Sequence, residues 1–321
     1  MPGATSIEWT SRTWNPSTGC GEVSPGCAHC YAKTFAERWR GIHGHPYEQG
    51  FDMRLWPERL TLQLRWRKPS VIFVNSMSDL FHEEIPDEFI AQVFAVMTQA
   101  PRHTFQVLTK RPERMRALLG TLPFAELVDA AVAALYEDGW ESDDVIVPAR
   151  GLARGLPNVW LGVSIENRRF VHRADVLRDT PAAVRFISAE PLLGPLVSDG
   201  SETSLVPTST RTETSSTREA ISGLRQGARK DVNLAGIDSL IVGGESGGHA
   251  RPLRVEWVNA LARAAREHGT ALFVKQLGAR WARAHPSMSA KGADPADWPA
   301  GLRVRELPGG CTLETPPGGE A

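Results

Sequence analysis

Six short apolar runs, each closed by a polar turn, constrain the fold of this chain most: Ser70–Asn75, Thr104–Thr109, Val159–Ser164, Val184–Ser188, Leu240–Gly243 and Ala271–Lys275. Dense in Val, Ile, Leu and Phe, they read as parallel strands buried on both faces. Between them the period becomes helical. Phe89, Ile90, Val93, Phe94 and Met97 make a stripe in a helix that Pro86 and Asp87 begin. Trp257, Leu261, Ala264 and Ala265 make another, with Gly269 as its C-terminal cap. Strands alternating with helices imply right-handed βαβ units around one parallel sheet. A further short strand is expected within Glu8–Asn15. The count suits an α/β chain folded as a partial or full parallel (β/α) barrel.

The barrel is expected to span residues 1–278, with insertions at about 116–156 and 200–235 and a C-terminal extension, 279–321, packed back through Trp281 and Trp298. The first insertion carries a helical stretch, Phe124–Tyr136, and an acidic patch from Glu137 to Asp144. Residues 201–217 hold eleven Ser or Thr among seventeen positions, too polar to fold alone.

Thirty-six basic residues face thirty-seven acidic ones, so no global field draws the chain to nucleic acid or an anionic membrane. A nucleic-acid partner would need a local basic groove; Arg65-Trp66-Arg67-Lys68 reads as a solvated turn rather than as one. No stretch approaches the roughly eighteen apolar residues of a membrane span. The N-terminal Met-Pro-Gly-Ala-Thr-Ser lacks a signal peptide's apolar core. The chain is therefore expected to be cytoplasmic, with no membrane partner.

Cys20, Cys27 and Cys30 lie within eleven residues, while Cys311 stands apart in a Gly/Pro-rich tail and reads as an incidental thiol. In a reducing compartment such a cluster indicates a metal site rather than disulfides. Gly19, Gly21, Pro25 and Gly26 make the segment a loop, and Tyr31 to Trp39 read as a helix with Phe35 and Trp39 on one face. The helix N-terminus favours the negative charge that thiolates bring. A structural zinc site completes a tetrahedron, for which His29 is the candidate fourth ligand, although between two ligands of a tight CxxC its ring is expected to point away. A cluster with one iron left open needs only three thiolates. On the residues alone iron–sulfur, zinc and buried redox thiols all stay open.

Barrel chemistry gathers at the C-terminal strand ends. Those ends read Asn75-Ser76-Met77-Ser78-Asp79, Thr109-Lys110-Arg111, Ser164-Ile165-Glu166-Asn167, Ser188-Ala189-Glu190, Gly243-Gly244-Glu245-Ser246 and Lys275-Gln276. Any one of them could be a solvated turn or a helix cap, as Asp79 or Ser246 would be. Lys110 and Arg111 could also pair with Glu190 or Glu166 and only hold the mouth together. The set as a whole favours a functional mouth.

The loop Gly26-Cys27-Ala28-His29-Cys30-Tyr31-Ala32 resembles the cluster loop of radical S-adenosylmethionine enzymes, particularly the spore photoproduct lyase-like branch. The runs TWNPSTGC, GCAHCYAK, FVNSMSDLFHE, FQVLTKRPERM, LGVSIEN, RFISAEPLLGP, IVGGESG, FVKQLG and KGADPADWP resemble those of phage-type three-cysteine-motif proteins of the same superfamily. The resemblance implies a radical-SAM-type barrel with a [4Fe-4S] cluster on Cys20, Cys27 and Cys30. It implies S-adenosylmethionine as cofactor, a 5′-deoxyadenosyl radical abstracting hydrogen from an unknown substrate, and an electron donor such as a flavodoxin or ferredoxin. Six residues separate Cys20 from Cys27 where the superfamily commonly has three, and Ser76-Met77-Ser78-Asp79 stands where a Gly-Gly-Glu is usual.

By that resemblance Ser76, Ser78 and Asp79 are candidates for the cofactor's amino group, and Ser164, Glu166 and Asn167 for its ribose or carboxylate. Glu190, Glu245 and Lys275 would line the substrate side, and Lys110 and Arg111 would clamp an anionic group. The alternatives are a non-catalytic zinc or iron–sulfur module that binds a protein or nucleic-acid partner, and a hydrolase or lyase using the carboxylates while the cysteines are structural.

Overall fold

The computed structural model describes residues 5–140, 149–198, 230–285 and 289–310. Cys311, the Ser/Thr-rich 201–217 and the end of the acidic patch, 141–144, lie outside the described residues.

Seven parallel strands form one sheet in strictly sequential order. They are β1 (Arg12–Trp14), β4 (Val71–Val74), β5 (Thr104–Thr109), β6 (Val159–Ser164), β7 (Val184–Ala189), β8 (Ser239–Gly243) and β9 (Ala271–Gln276), and β1 does not pair with β9. The sheet is therefore a half-barrel, the partial form of the expected closure. Ahead of the large sheet's second strand a two-stranded antiparallel piece, β2 (Ser17–Thr18) with β3 (Arg54–Leu55), is inserted.

The helices are α1 (Tyr31–Glu37), α2 (Asp87–Thr98), α3 (Pro112–Leu118), α4 (Leu122–Glu137), α5 (His172–Arg178), α6 (Val255–His268) and the short α7 (Ala279–Ala282). Helix α2 begins after Pro86, with Asp87 and Glu88 in the first turn facing its positive end, and buries the stripe read from the sequence. Helix α6 ends at Gly269, whose φ of 67° is the left-handed C-terminal cap. No single helix among the described residues is long and apolar enough to cross a membrane.

Period-two alternation divides each strand between two cores. Ile72, Val74, Phe105, Val107, Leu161, Val163, Ile187, Leu240, Val242 and Val274 join the main core beneath the helices. Phe73, Trp160, Phe186, Ile241 and Phe273 instead gather with Trp9 on the concave face and plug the lower lumen. The Trp9 ring packs tilted against Phe73 and Phe186, with centroids 4.6 Å and 6.2 Å away. Gly162 makes room for this plug: a Cβ there would stand 2.4 Å from the Phe186 ring on the next strand. Above the plug the lumen side chains become small or polar. Ser164 pairs in register with Ser188, and Glu190 reaches past Gly243 to Lys275, their nitrogen and oxygen 2.5 Å apart.

Candidate functional site

The cysteine loop begins where β2 ends. Gly19 forms an isolated parallel bridge with Ser78, and its N–H donates to the Met77 carbonyl at 3.0 Å, which lays Cys20 against the end of β4. Gly19 has φ of 90°, and a Cβ there would meet the Asp52 carbonyl oxygen at 2.3 Å, so only glycine fits. Cys27 closes a single 3₁₀ turn, Pro25–Cys27, and Cys30 is the N-cap residue of α1. All three thiols are free and half-buried.

Residues from four strand ends reach up to hold this loop. After β4, His82 Nε2 stands 3.0 Å from the Gly21 N–H. After β5, Arg111 donates to the Gly21 carbonyl at 3.3 Å and through Nη1 to Cys20 Sγ at 3.5 Å. After β6, Glu166 accepts the Gly26 N–H at 3.2 Å. After β8, Glu245 accepts from His29 Nδ1 at 3.1 Å and is gripped by Arg251, which also donates to the Pro25 carbonyl at 2.9 Å. The loop thus lies across the mouth of the half-barrel and is fastened on opposite sides.

These fastenings use up several side chains read from the sequence as cofactor or substrate groups. Asp79 is buried and accepts four hydrogen bonds: from the Phe81 N–H (3.0 Å), Thr109 Oγ1 (2.7 Å), the Lys110 N–H (3.0 Å) and Arg111 Nη1 (3.4 Å). Glu166 is buried with Arg173 at 3.1 Å. The structure changes the expected ion pairs: Arg111 meets Asp79 and Glu83, Glu166 meets Arg173, and Glu190 meets Lys275. Asn167 caps the following 3₁₀ turn through the Arg169 N–H. Ser76 donates to Asn15 and Ser78 accepts from Ser17, which ties β1 and β2 to the end of β4. Lys110 lies under the loop, with its Cε 3.5 Å from where a Gly26 Cβ would be.

Ser164, Ser188, Glu190 and Lys275 share the lumen face, joined at its rim by Tyr31, whose hydroxyl donates to the Ser76 carbonyl at 2.6 Å. Tyr31, His82, Arg173 and Arg251 were not singled out from the sequence as site residues. Arg173 follows Glu166 by seven residues and Arg251 follows Glu245 by six, but neither pair lies within one helix or strand, so spacing does not reveal the contact. Only the returning loops bring each pair together.

Charge is distributed unevenly over the loop. Burial, and then the Asp79 carboxylate, push the Cys20 thiol up to about 11, against the opposing pull of Arg111. Burial raises Glu245, but hydrogen bonds from Arg251 and His29 outweigh it and leave the carboxyl below its ordinary value. Burial and then Arg111 depress His82, which keeps its ring neutral beside Gly21.

Among the described residues no three His, Cys, Asp or Glu side chains converge on a point for a single ion. An iron–sulfur cluster asks something different, since each thiolate binds a separate iron. Cys20 and Cys30 pack on one small apolar cluster of Ala32, Ala36, Phe51 and Met77, and the Cys20 thiol also feels the charge of Cys27. Three unpaired thiols around one fastened loop, one of them facing a guanidinium, fit such a cluster. His29 is taken by Glu245.

No curated protein and no solved structure matches this chain. The sequence model of a family described as "Protein of unknown function (DUF5131)" matches residues 4–300. That span takes in both sheets, the cysteine loop and every strand end that holds it, so the chain belongs to the DUF5131 family.

Proposed function

We propose that this chain is a radical S-adenosylmethionine enzyme holding a [4Fe-4S] cluster on Cys20, Cys27 and Cys30. The observation that carries the reading is the fastening of a three-cysteine loop across the mouth of a parallel half-barrel by residues from four strand ends. When bound, such a cluster would supply one electron to S-adenosylmethionine, breaking its C5′–S bond to give methionine and a 5′-deoxyadenosyl radical for hydrogen abstraction.

The chain's own part is holding, orienting and excluding water. Arg111 and Arg251 offset the negative charge that three thiolates bring to a half-buried loop. Asp79 and Glu166 act on the loop side, fixing Arg111 and Gly26 rather than meeting the cofactor directly. The cofactor's seat is the lumen between loop and aromatic plug, where Ser164, Ser188, Glu190 and Lys275 offer hydroxyls and a charge pair. Ser76, Ser78 and Asn167 hold the strand ends and the turn around that seat in place. Reduction needs a one-electron donor such as a flavodoxin or ferredoxin.

Anaerobic reconstitution with iron and sulfide is expected to load the chain. Dithionite and S-adenosylmethionine should then release 5′-deoxyadenosine, and Cys20→Ala, Cys27→Ala and Cys30→Ala should each abolish it. A fully loaded chain that yields none would overturn the catalytic reading. One observation favours a second reading, a non-catalytic metal module: Asp79, Glu166 and Glu245 are all engaged within the chain. Stoichiometric zinc without iron, in protein purified without oxygen, would decide for it.

A further inference from the structure

We infer that Arg111 is a positioning residue that sets the electron affinity of the cysteine site through Cys20; the inference rests on the cluster reading above. Among the described residues Arg111 is the cation hydrogen-bonded to one of the three sulfurs, with Nη1 3.5 Å from Cys20 Sγ. Its side chain is only 11% exposed. Among the described residues the other two thiols lack such a donor: Cys27 faces the Ser24 hydroxyl at 3.9 Å, and Cys30 packs on apolar neighbours.

The guanidinium cannot drift from this position. Nε holds Glu83 at 3.0 Å, Nη2 the Gly21 carbonyl at 3.3 Å, and Nη1 divides between Cys20 and Asp79. The Arg111 backbone N–H in turn donates to Thr109 Oγ1 at 2.8 Å, and that hydroxyl donates to Asp79 at 2.7 Å. The charge is therefore fixed beside one sulfur by a closed set of partners drawn from β4 and β5.

One-electron reduction adds a negative charge to the site and breaks no bond of the chain. A positive charge and an N–H held at a sulfur stabilise the reduced form more than the oxidised one, in a part-buried place where screening is weak. Removing the donor must then lower the reduction potential. Glu83 gives the opposite lever. It is 71% exposed and partly neutralises Arg111, so removing its charge leaves the guanidinium more positive toward Cys20.

The test compares the full chain with Arg111→Gln, Arg111→Lys and Glu83→Gln, each reconstituted anaerobically. Iron and sulfide are counted, and the midpoint is read by a mediated dithionite titration followed by electron paramagnetic resonance. Arg111→Gln is expected to shift the reduction equilibrium about tenfold against the reduced form, roughly 59 mV for one electron. Arg111→Lys should restore part of that, and Glu83→Gln should move the midpoint upward. Opposite signs distinguish tuning from disturbance of the loop, which would move both variants the same way. Unchanged midpoints in fully loaded Arg111→Gln and Glu83→Gln, or shifts of the same sign, would overturn this inference alone. A wild-type chain that takes up no iron and sulfide would overturn the cluster reading together with it. Should Arg111→Gln fail to load, Glu83→Gln and Arg111→Lys carry the decision.

Discussion

Glu166 is 1% exposed, and its oxygens divide between the Gly26 N–H and the guanidinium of Arg173, itself almost wholly buried. Deleting the carboxylate strands a buried cation, which typically costs about 3–5 kcal/mol. Glu166→Ala is therefore expected to lower the urea-unfolding free energy by that order, and a loss under 1 kcal/mol would contradict the pairing. The pH dependence has its own residue. His103 is buried, with Nε2 3.2 Å from the Gln63 carbonyl and no hydrogen-bond partner on Nδ1 among the described residues, so it holds the neutral Nε2–H form. Burial accordingly depresses its pKa below 6.5. As the pH falls through 6.5 the unfolded chain binds a proton that the fold does not, so stability declines from there down to the folded pKa. His82 adds the same sign. His103→Gln should shrink the difference in urea midpoint between pH 7.5 and 5.5; an unaltered difference would remove His103 from the account.

Among elements, those with a long period were legible in the sequence. The stripe of α2 follows from spacing, and the cap of α6 and the six apolar strands from local residue type. The pairing of β2 with β3 was not legible, since two-residue strands have no period and their contact spans the whole α1 excursion. The clamps were legible only in part. Residue type marked Arg111, Glu166 and Glu245 as functional, but which partner each takes depends on where loops return, and local sequence does not encode that. Gly19 shows how tightly the excursion is fitted. A methyl group there faces left-handed strain of about 1–2 kcal/mol, and a further 1–3 kcal/mol or so from overpacking against the Asp52 carbonyl. Gly19→Ala is expected to unfold at lower temperature and, on the proposed cluster reading, to take up less iron than the native chain. Native iron content in this variant would show that the start of the loop does not position Cys20.

At the scale of the molecule, sequential winding that stops short of closure leaves β9 as an open edge, and an uncovered edge invites pairing with another chain. Residues 302–306 cover it. The Val274 N–H donates to the Val304 carbonyl at 2.9 Å, the Glu306 N–H to Leu272 at 2.8 Å, and Arg305 lies over both Phe273 and Trp298 while meeting Glu8 at 3.0 Å. The gap of the half-barrel is thus filled by the chain's two described ends rather than by an eighth strand. Trp298 anchors this cover: 1% exposed, it sits in the main core with Leu302 and donates Nε1–H to the Gly292 carbonyl at 2.9 Å. Truncating a buried aromatic of this kind costs about 3–5 kcal/mol. Trp298→Ala should lose that much in urea unfolding and, with β9 uncovered, should self-associate with rising concentration in analytical ultracentrifugation. Because the cover runs beside Lys275 and Glu190, the same variant should loosen the lumen around that pair. A Trp298→Ala chain that stays monomeric and loses less than about 1 kcal/mol, well below the usual range for a core aromatic, would show that the half-barrel is self-sufficient without this cover.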